Sequence, residues 1–152
     1  MLAADQITKW WVQQTMVGRE PIELLGDWLR ITYTFHPGAA FSMGGSFTVV
    51  LTAIAITVSV VIVRMASRLG SNAWAVALGG ILGGALGNLV DRLFRSPGPF
   101  RGSVVDWISV QSWPVFNIAD SAIFCSAVLM VWLSFRGIGL DGSRPGTTAT
   151  TG

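Results

Sequence analysis

The sequence predicts an all-α membrane protein with four transmembrane helices and a small β-sheet outside the membrane. Of its 152 residues, 51% are hydrophobic and only 12% are charged, about half the charged fraction of an ordinary soluble domain. The mean hydropathy is +0.58. Seven tryptophans against one tyrosine fit anchoring at membrane–water interfaces. The length and composition together predict one polytopic domain.

The composition also argues against several classes of partner and site. A formal net charge of +2 is too small to indicate a nucleic-acid-binding protein. One histidine and one cysteine argue against a zinc site built from Cys and His. The sequence therefore predicts no metal, no cofactor and no nucleic-acid partner.

The first segment, residues 1–17, is predicted to be part of a membrane helix whose beginning is missing. A helix of 17 residues spans about 25 Å, which is short of the roughly 30 Å hydrocarbon core. We therefore expect the natural protein to begin about ten residues earlier. Asp5 and Lys9 lie four residues apart, so they are expected to neutralise each other on one helical face.

The second segment, residues 18–46, is predicted to fold outside the membrane. Trp28–Phe35 alternates well enough to indicate a strand, and Ile22–Leu25 is a possible partner across a turn near Gly26–Asp27. The stretch HPGAAFSMGG follows and is rich in small residues that permit close backbone approach. We expect a small sheet that leads into a loop at the membrane surface.

Three further apolar stretches, residues 47–63, 74–89 and 116–135, are predicted to cross the bilayer. Residues 93–115 separate the last two and form a polar excursion that prolines and glycines keep from forming a long helix. After Arg136 the composition of Gly, Ser, Thr and Pro predicts disorder. The predicted membrane domain is therefore residues 1–136, and the predicted disordered tail is residues 137–152.

The stretch Gly79–Arg92 is predicted to place polar groups in a crowded helix interface. Two stripes with a spacing of four residues lie on neighbouring faces of this helix: Gly79, Gly83, Gly87 and Asp91, and Gly80, Gly84, Asn88 and Arg92. Small residues at this spacing let another helix approach closely, and ionisable groups inside a membrane are usually functional. The alternative is a packing motif whose polar end merely reaches the interfacial water.

Antiparallel packing of four spans would bring three polar regions to one membrane face: the end of the third span, the excursion with Asp106, and the start of the fourth span with Asn117 and Asp120. Two carboxylates in a partly dehydrated site tend to share a proton, so one can act as a base on water while the other acts as an acid. This is the chemistry of peptide hydrolysis without a metal. In the alternative interpretation, Asn117 and Asp120 only cap a helix, and Asp106 is an ordinary loop aspartate.

Five motifs resemble, in order, those of the lipoprotein signal peptidases, the signal peptidase II family: DQITK, HPGAAFS, GGALGNLVDR, VVDW and FNIADSAI, at residues 5–9, 36–42, 83–92, 104–107 and 116–123. The resemblance implies a multi-pass aspartic endopeptidase of the bacterial inner membrane, with four spans, an extramembrane β-cradle and an active site toward the outer face. It implies cleavage of prolipoproteins before the cysteine that carries diacylglycerol, and inhibition by globomycin-type compounds.

The resemblance also implies roles for individual residues. The catalytic pair would be Asp106 and Asp120. The substrate-binding residues would be Asn88, Arg92, His36, Gly38 and Asn117, with His36 at a position where the family usually has Asn. The supporting residues would be Asp5, Lys9 and Asp91. The rival hypothesis is a small proton-coupled transporter or channel subunit that uses the same acids as a relay.

Overall fold

The computed structural model describes residues 1–36 and 44–144. A short 3-10 turn, Ala66–Arg68, follows the second helix. The elements in chain order are α1 (Leu2–Met16), β1 (Ile22–Glu23), β2 (Leu29–His36), α2 (Gly44–Met65), α3 (Asn72–Phe94), β3 (Val104–Val110) and α4 (Ile118–Phe135).

The fold is mostly helical, and in its described part three helical stretches are long and apolar enough to cross a membrane: Thr48–Arg68, Asn72–Phe94 and Ile118–Phe135. Helix α1 has 15 residues, which extend about 22 Å and fall short of a bilayer core. The structure therefore supports three of the four predicted spans. Helix α3 also continues to Phe94, beyond the predicted end at Leu89.

The distribution of apolar and polar side chains is inverted relative to a water-soluble protein. Val50, Phe124 and Val131 are 52%, 64% and 56% exposed, whereas Asp5 and Lys9 are 1% and 0% exposed. Extended apolar surface marks contact with a membrane or a partner, and fully buried charges are rare unless they are paired. The outer surfaces of the helices are therefore suited to lipid, and the polar groups lie inside the bundle.

The glycines of α3 allow the helices to pack closely. A Cβ atom added at Gly87 would lie 2.6 Å from Asp5 Oδ2 and 3.3 Å from Ala119 Cβ, so α1, α3 and α4 meet there. A Cβ atom at Gly84 would lie 2.5 Å from the Ala119 carbonyl oxygen. The predicted close approach is confirmed at these two positions and at Gly80 and Gly83, where an added Cβ would meet Ser126 and Met1, whereas Gly79 has nothing within 4 Å of its added Cβ.

Helix α1 runs parallel to the second half of α3. The contacts keep a constant offset of 82 residues along both helices. The pairs are Met1 with Gly83, Asp5 with Gly87, Lys9 with Asp91, and Gln13 with Arg95. The polar face of α1 therefore lies along the polar end of α3.

The sheet has three antiparallel strands in the order β1-β2-β3. The predicted hairpin is confirmed, because Ile22 pairs with Ile31 and Glu23 pairs with Arg30. The third strand was not predicted, because residues 93–115 were expected only to form a polar excursion without a long helix. Val104–Val110 instead pairs with β2, with Asp106 opposite Thr34, so Asp106 is not a loop residue. Its partner strand lies about 75 residues earlier in the chain, and local patterning does not reveal such a pairing.

The end of the bundle opposite the sheet is apolar. Its core cluster consists of Ile62, Trp74, Ala77, Leu78 and Leu133.

The residues that follow α4 fold back onto this apolar cluster. Trp74 Nε1 donates to the Ile138 carbonyl at 2.8 Å, and the backbone N–H groups of Gly70 and Ser71 donate to the Leu140 carbonyl at 3.0 and 3.1 Å. Within the predicted disordered tail, Ile138 and Leu140 are therefore half-buried against the cluster, whereas residues 141–144 are exposed. Residues 145–152 of that tail lie outside the described residues.

Candidate active site

A capping box fixes the start of α4. Asn117 Oδ1 accepts from the Asp120 backbone N–H at 2.9 Å, and Asp120 Oδ2 accepts from the Asn117 backbone N–H at 3.2 Å. This reciprocal pair satisfies two backbone donors that a helix start leaves free. The capping interpretation of these two residues is therefore confirmed. Capping also locks both side chains in place, so the same atoms can serve a site.

The two predicted catalytic aspartates meet through asparagine side chains. Asn117 Nδ2 donates to Asp106 Oδ1 at 2.6 Å and to Asn88 Oδ1 at 3.2 Å. Asn88 Nδ2 donates to Asp120 Oδ1 at 2.7 Å. Strand β3, the end of α3 and the start of α4 thus contribute to one polar cluster. The three regions converge as the sequence predicts, and Asn117 contacts both carboxylates.

The cluster opens onto an apolar groove. Asp106 and Asp120 are partly exposed, whereas Asn88 and Asn117 are buried at 7% and 0% exposure. A cavity of about 600 Å³ lies against Asp120. Its other lining residues are Val110, Trp113, Phe116, Ser121, Phe124 and Cys125. Apolar walls with one placed carboxylate are typical of a site for an apolar ligand that carries one reacting polar group.

The surroundings of Asp106 favour its neutral, protonated form. Asp106 lies on β3, outside the membrane-spanning helices. Burial, and then the negative charge of Asp120, raise its pKa to about 7, while the hydrogen bond from Asn117 and the charge of Lys9 act in the opposite direction. Asp106 can therefore hold a proton near neutral pH, as a general acid requires.

A buried cluster of charged side chains, the ion cluster, lies next to the two aspartates and contacts Asn88. Lys9 is fully buried, and its Nζ lies 2.8 Å from Asp5 Oδ2, 2.9 Å from Asp91 Oδ2 and 3.0 Å from Asn88 Oδ1. These three contacts use all three donors of the ammonium group. The predicted pairing of Asp5 with Lys9 is confirmed. The ammonium also joins the ion cluster to the amide that contacts Asp120.

Asp5 and Asp91 anchor the backbone beside the candidate catalytic pair. Asp5 Oδ1 accepts from the Ala119 N–H at 3.0 Å, one residue before Asp120. Asp91 Oδ2 accepts from the Val105 N–H at 3.3 Å, one residue before Asp106. Each buried carboxylate therefore fixes the chain position next to one of the partly exposed carboxylates.

Two members of the cluster were missed in the sequence. Arg95 Nε donates to Asp91 Oδ1 at 2.7 Å. The spacing of four residues could have revealed this pair, but α3 was expected to end at Leu89. Gln6 Nε2 donates to the Gly87 carbonyl at 3.0 Å and to the carboxylates of Asp5 and Asp91 at 3.1 and 3.3 Å. Gln6 lies within the DQITK motif, but neither its spacing nor its residue type indicated a role in the cluster.

The structure describes the remaining predicted site residues only in part. Arg92 Nη1 donates to the Asn88 carbonyl at 3.3 Å, and its charge interacts with Asp120, Asp91 and Asp106. The backbone of His36 ends β2 opposite Val104. Gly38 and the side chain of His36 lie outside the described residues. Over residues 1–36 and 44–144, no group of three or more His, Cys, Asp or Glu side chains is arranged to hold a metal ion.

Known proteins resemble this chain in both sequence and structure. The sequence profile of the family described as signal peptidase (SPase) II matches residues 1–136. A lipoprotein signal peptidase of Streptomyces coelicolor is 53% identical over 124 residues, which cover 82% of this chain and 61% of that protein. One of Rhodococcus jostii is 47% identical over 146 residues, which cover 96% of this chain and 74% of that protein.

A solved structure of a bacterial membrane enzyme has a TM-score of 0.77 and 27% identity, and the match covers 89% of this chain and 87% of that one. The chain spans less than two thirds of the length of the Streptomyces relative. The family profile nevertheless matches nearly the whole of this chain, and the relatives are well above 30% identical. The chain belongs to the signal peptidase II family.

Proposed function

We propose that this protein is an aspartic endopeptidase that removes signal peptides from diacylglyceryl-modified prolipoproteins, cleaving before the lipid-carrying cysteine. One observation carries the proposal: two partly exposed carboxylates, joined through Asn117, lie beside an apolar groove at the end of the membrane helices. Family membership and the names of the relatives support the same activity.

The geometry supports a division of roles between the two aspartates. Asp120 accepts a hydrogen bond at each oxygen, from Asn88 Nδ2 and from the Asn117 N–H. Asp120 also borders the groove, so we assign it the role of the base that takes a proton from water. Asp106, whose pKa is raised to about 7, is suited to donate one.

In the first half of the reaction, water attacks the scissile carbonyl carbon, its proton passes to Asp120, and the Asp106 proton passes to the carbonyl oxygen. The product of this half is a tetrahedral diol. In the second half, the C–N bond breaks and the departing nitrogen receives the proton from Asp120. A hydroxyl of the diol returns its proton to Asp106 as the carboxyl product forms, so both aspartates recover their starting state.

The membrane placement belongs to the same proposal. We infer that α1 is a fourth span, since it runs parallel to α3 and exposes Ile7 and Trp10, which are 64% and 62% exposed, on the side away from the ion cluster. Four spans place the sheet and the aspartates at one membrane face, which in this proposal is the outer face of the bacterial inner membrane. Residues 1–136 form the peptidase domain.

The substrate contacts follow from the positions of the polar groups. The apolar groove takes the lipid-modified, apolar part of the substrate, with Phe124 and Trp113 among its walls. Arg92 and Asn88 lie beside the candidate catalytic pair and are the proposed contacts to the substrate backbone, whereas Asn117 is 0% exposed and is proposed to act through the two aspartates that it contacts. His36 and Gly38 remain proposed substrate contacts. Globomycin-type inhibitors would compete for this groove.

The test is cleavage by the purified chain in detergent or lipid. We expect release of the signal peptide from a diacylglyceryl-modified prolipoprotein and no cleavage of the same precursor without the lipid. Asp106→Asn serves as the matched inactive protein. The family match does not support the transporter hypothesis. That hypothesis would replace the proposal if lipidated substrate stayed intact while reconstituted protein moved protons in a manner coupled to another solute.

A further inference from the structure

The Lys9 side chain approaches the candidate active site from the interior of the protein. It is 0% exposed, so no substrate can contact it. Its Nζ donates to Asn88 Oδ1 at 3.0 Å, and Asn88 Nδ2 donates to Asp120 Oδ1 at 2.7 Å. A continuous line of hydrogen bonds therefore runs from a buried ammonium group on α1 to a proposed catalytic carboxylate on α4.

The chemistry of the lysine determines which way the Asn88 amide points. An ammonium group only donates hydrogen bonds, so the Asn88 atom that faces it has to be the carbonyl oxygen. The NH₂ group of the same amide then has to face Asp120. Asn117 Nδ2 also donates to Asn88 Oδ1, at 3.2 Å, but that donor is neutral, and a hydrogen bond from a charged donor is about twice as strong.

The second asparagine does not depend on Lys9. Asn117 Oδ1 accepts from the Asp120 backbone N–H at 2.9 Å, and its Nδ2 donates to Asp106 Oδ1 at 2.6 Å. The helix cap thus orients the amide that contacts Asp106. Of the two amides that contact the aspartates, one is oriented by the backbone and the other by a buried charge.

We propose that Lys9 is a positioning residue for the reaction: by donating to Asn88 Oδ1 it fixes the direction of the Asn88 amide, and this amide in turn holds Asp120 as a hydrogen-bond acceptor. The inference rests on the proposed peptidase function. It goes beyond a packing role, because it assigns Lys9 an effect on the reacting group through one identified side chain.

Loss of the ammonium group would let the Asn88 amide rotate. Its carbonyl oxygen could then face the Asp120 carboxylate, and Asp120 would lose the donor at Oδ1. We expect kcat to fall by about 10²-fold, the loss typical of a misplaced catalytic group. KM should change less than kcat, because Lys9 itself is too deeply buried to bind substrate and only the Asn88 contact is disturbed.

The variant has to keep the buried charges balanced. Lys9→Met alone would leave Asp5 and Asp91 without the cation that both contact. Lys9→Met/Asp5→Asn removes one positive and one negative charge, and the asparagine can still accept from the Ala119 N–H. If this protein fails to fold, Lys9→Gln/Asp5→Asn takes its place. Glutamine can donate or accept, so it fills the space without dictating the amide direction.

The decisive measurement is a double-mutant cycle with Asn88→Ala, using kcat on the lipidated substrate. If Lys9 acts through Asn88, the charge-balanced change lowers kcat in the wild-type background and has no further effect in the Asn88→Ala background. The control is Gly84→Ala, whose added Cβ would have the Ala119 carbonyl oxygen and the Ile123 side chain as its nearest neighbours and would disturb the start of α4 without changing an ionic partner of Lys9. Its effect on kcat should be the same in both backgrounds.

Two results would overturn the inference while the peptidase function stands. One is an equal loss of kcat from the Lys9 change in both backgrounds, and the other is an unchanged kcat in folded Lys9→Met/Asp5→Asn or Lys9→Gln/Asp5→Asn protein. Failure of the wild-type protein to cleave the lipidated substrate would instead overturn the proposed function, so the two failures are distinguishable.

Discussion

Two pairs of aspartates lie within one polar end of the molecule, and their surroundings differ. Asp5 and Asp91 are 1% and 0% exposed, and both form ion pairs with Lys9. Asp106 and Asp120 are partly exposed, accept hydrogen bonds from asparagine side chains, and border an apolar groove on the Asp120 side.

In the proposed function, this difference separates structural from reactive carboxylates. A buried carboxylate that is paired with a cation is costly to disturb, because removal of one partner leaves the other charge uncompensated. A general acid or base has to exchange protons, so it needs access to water and substrate and a pKa near the working pH. The first pair therefore fixes the backbone beside the second, and the second borders the groove where the proposed reaction takes place. Changes at the two pairs should accordingly affect different properties of the protein.

The largest effect is expected at the reactive pair. Asp106→Asn and Asp120→Asn should each lower cleavage by at least about 10²–10⁴-fold, the range for loss of one positioned acid or base. Asparagine is nearly isosteric and can still accept the hydrogen bond that caps α4, so thermal unfolding in detergent should stay near the wild-type temperature. Asp106→Asn protein that keeps more than about a tenth of the wild-type rate would contradict the assignment.

Asp91→Asn should show the opposite pattern. Lys9 and Arg95 would each lose a buried ionic partner, and breaking a buried pair costs about 3–5 kcal/mol. We expect a clear drop in the unfolding temperature, while the cleavage rate per folded molecule falls less than in Asp106→Asn. Stable but inactive Asp91→Asn protein would place Asp91 in the reactive pair with Asp120.

Overpacking at α3 should lower the unfolding temperature less than the loss of a buried ion pair does. In Gly84→Ala the added methyl group would lie 2.5 Å from the Ala119 carbonyl oxygen and 2.7 Å from Ile123 Cγ1. Overpacking of this kind costs about 1–3 kcal/mol, and it displaces the helix turn that carries Asp120. Gly79→Ala is the matched control, because nothing lies within 4 Å of its added Cβ. Equal unfolding temperatures for the two variants would contradict the close packing of α3 against α4 at Gly84.

The smallest effect concerns pH. Because Asp106 has to be protonated to act as an acid and its pKa is raised to about 7, cleavage should decline as the pH rises through about 7. Asn117→Ser keeps a capping oxygen but is too short to donate to Asp106. Since that hydrogen bond lowers the Asp106 pKa, the decline should move to higher pH. A pH–rate profile of both proteins checks this, and a shift to lower pH would contradict it.

Much of the architecture could be predicted because membrane spans and helix caps leave local signals. The apolar stretches of α2 and α4, the hairpin of β1 and β2, and the glycines of α3 are examples. Strand β3 could not be predicted because its stability depends on pairing with distant β2. Residues 137–140 have a loop-like composition, and the packing of Ile138 and Leu140 depends on an apolar cluster formed by distant parts of the chain.

The sequence indicated which residues form the candidate site, but not which of their side chains contact one another. The i,i+4 spacing of Asp5 and Lys9 shows a pair, yet the spacing does not show that Lys9 also contacts Asp91 and Asn88. The capping motif of Asn117 and Asp120 has a complete local explanation. Its second use, holding Asp106 through Asn117 Nδ2, depends on a strand from another part of the chain.

In the proposed reaction, Asp106 and Asp120 act as one unit on the scissile bond. Residues that act as a unit lose activity non-additively, so the decisive measurement is the cleavage rate of the double variant Asp106→Asn/Asp120→Asn on lipidated substrate. We expect a rate that is indistinguishable from those of the single variants. If the loss in the double variant equals the product of the two single losses, the aspartates act independently and do not form a catalytic pair.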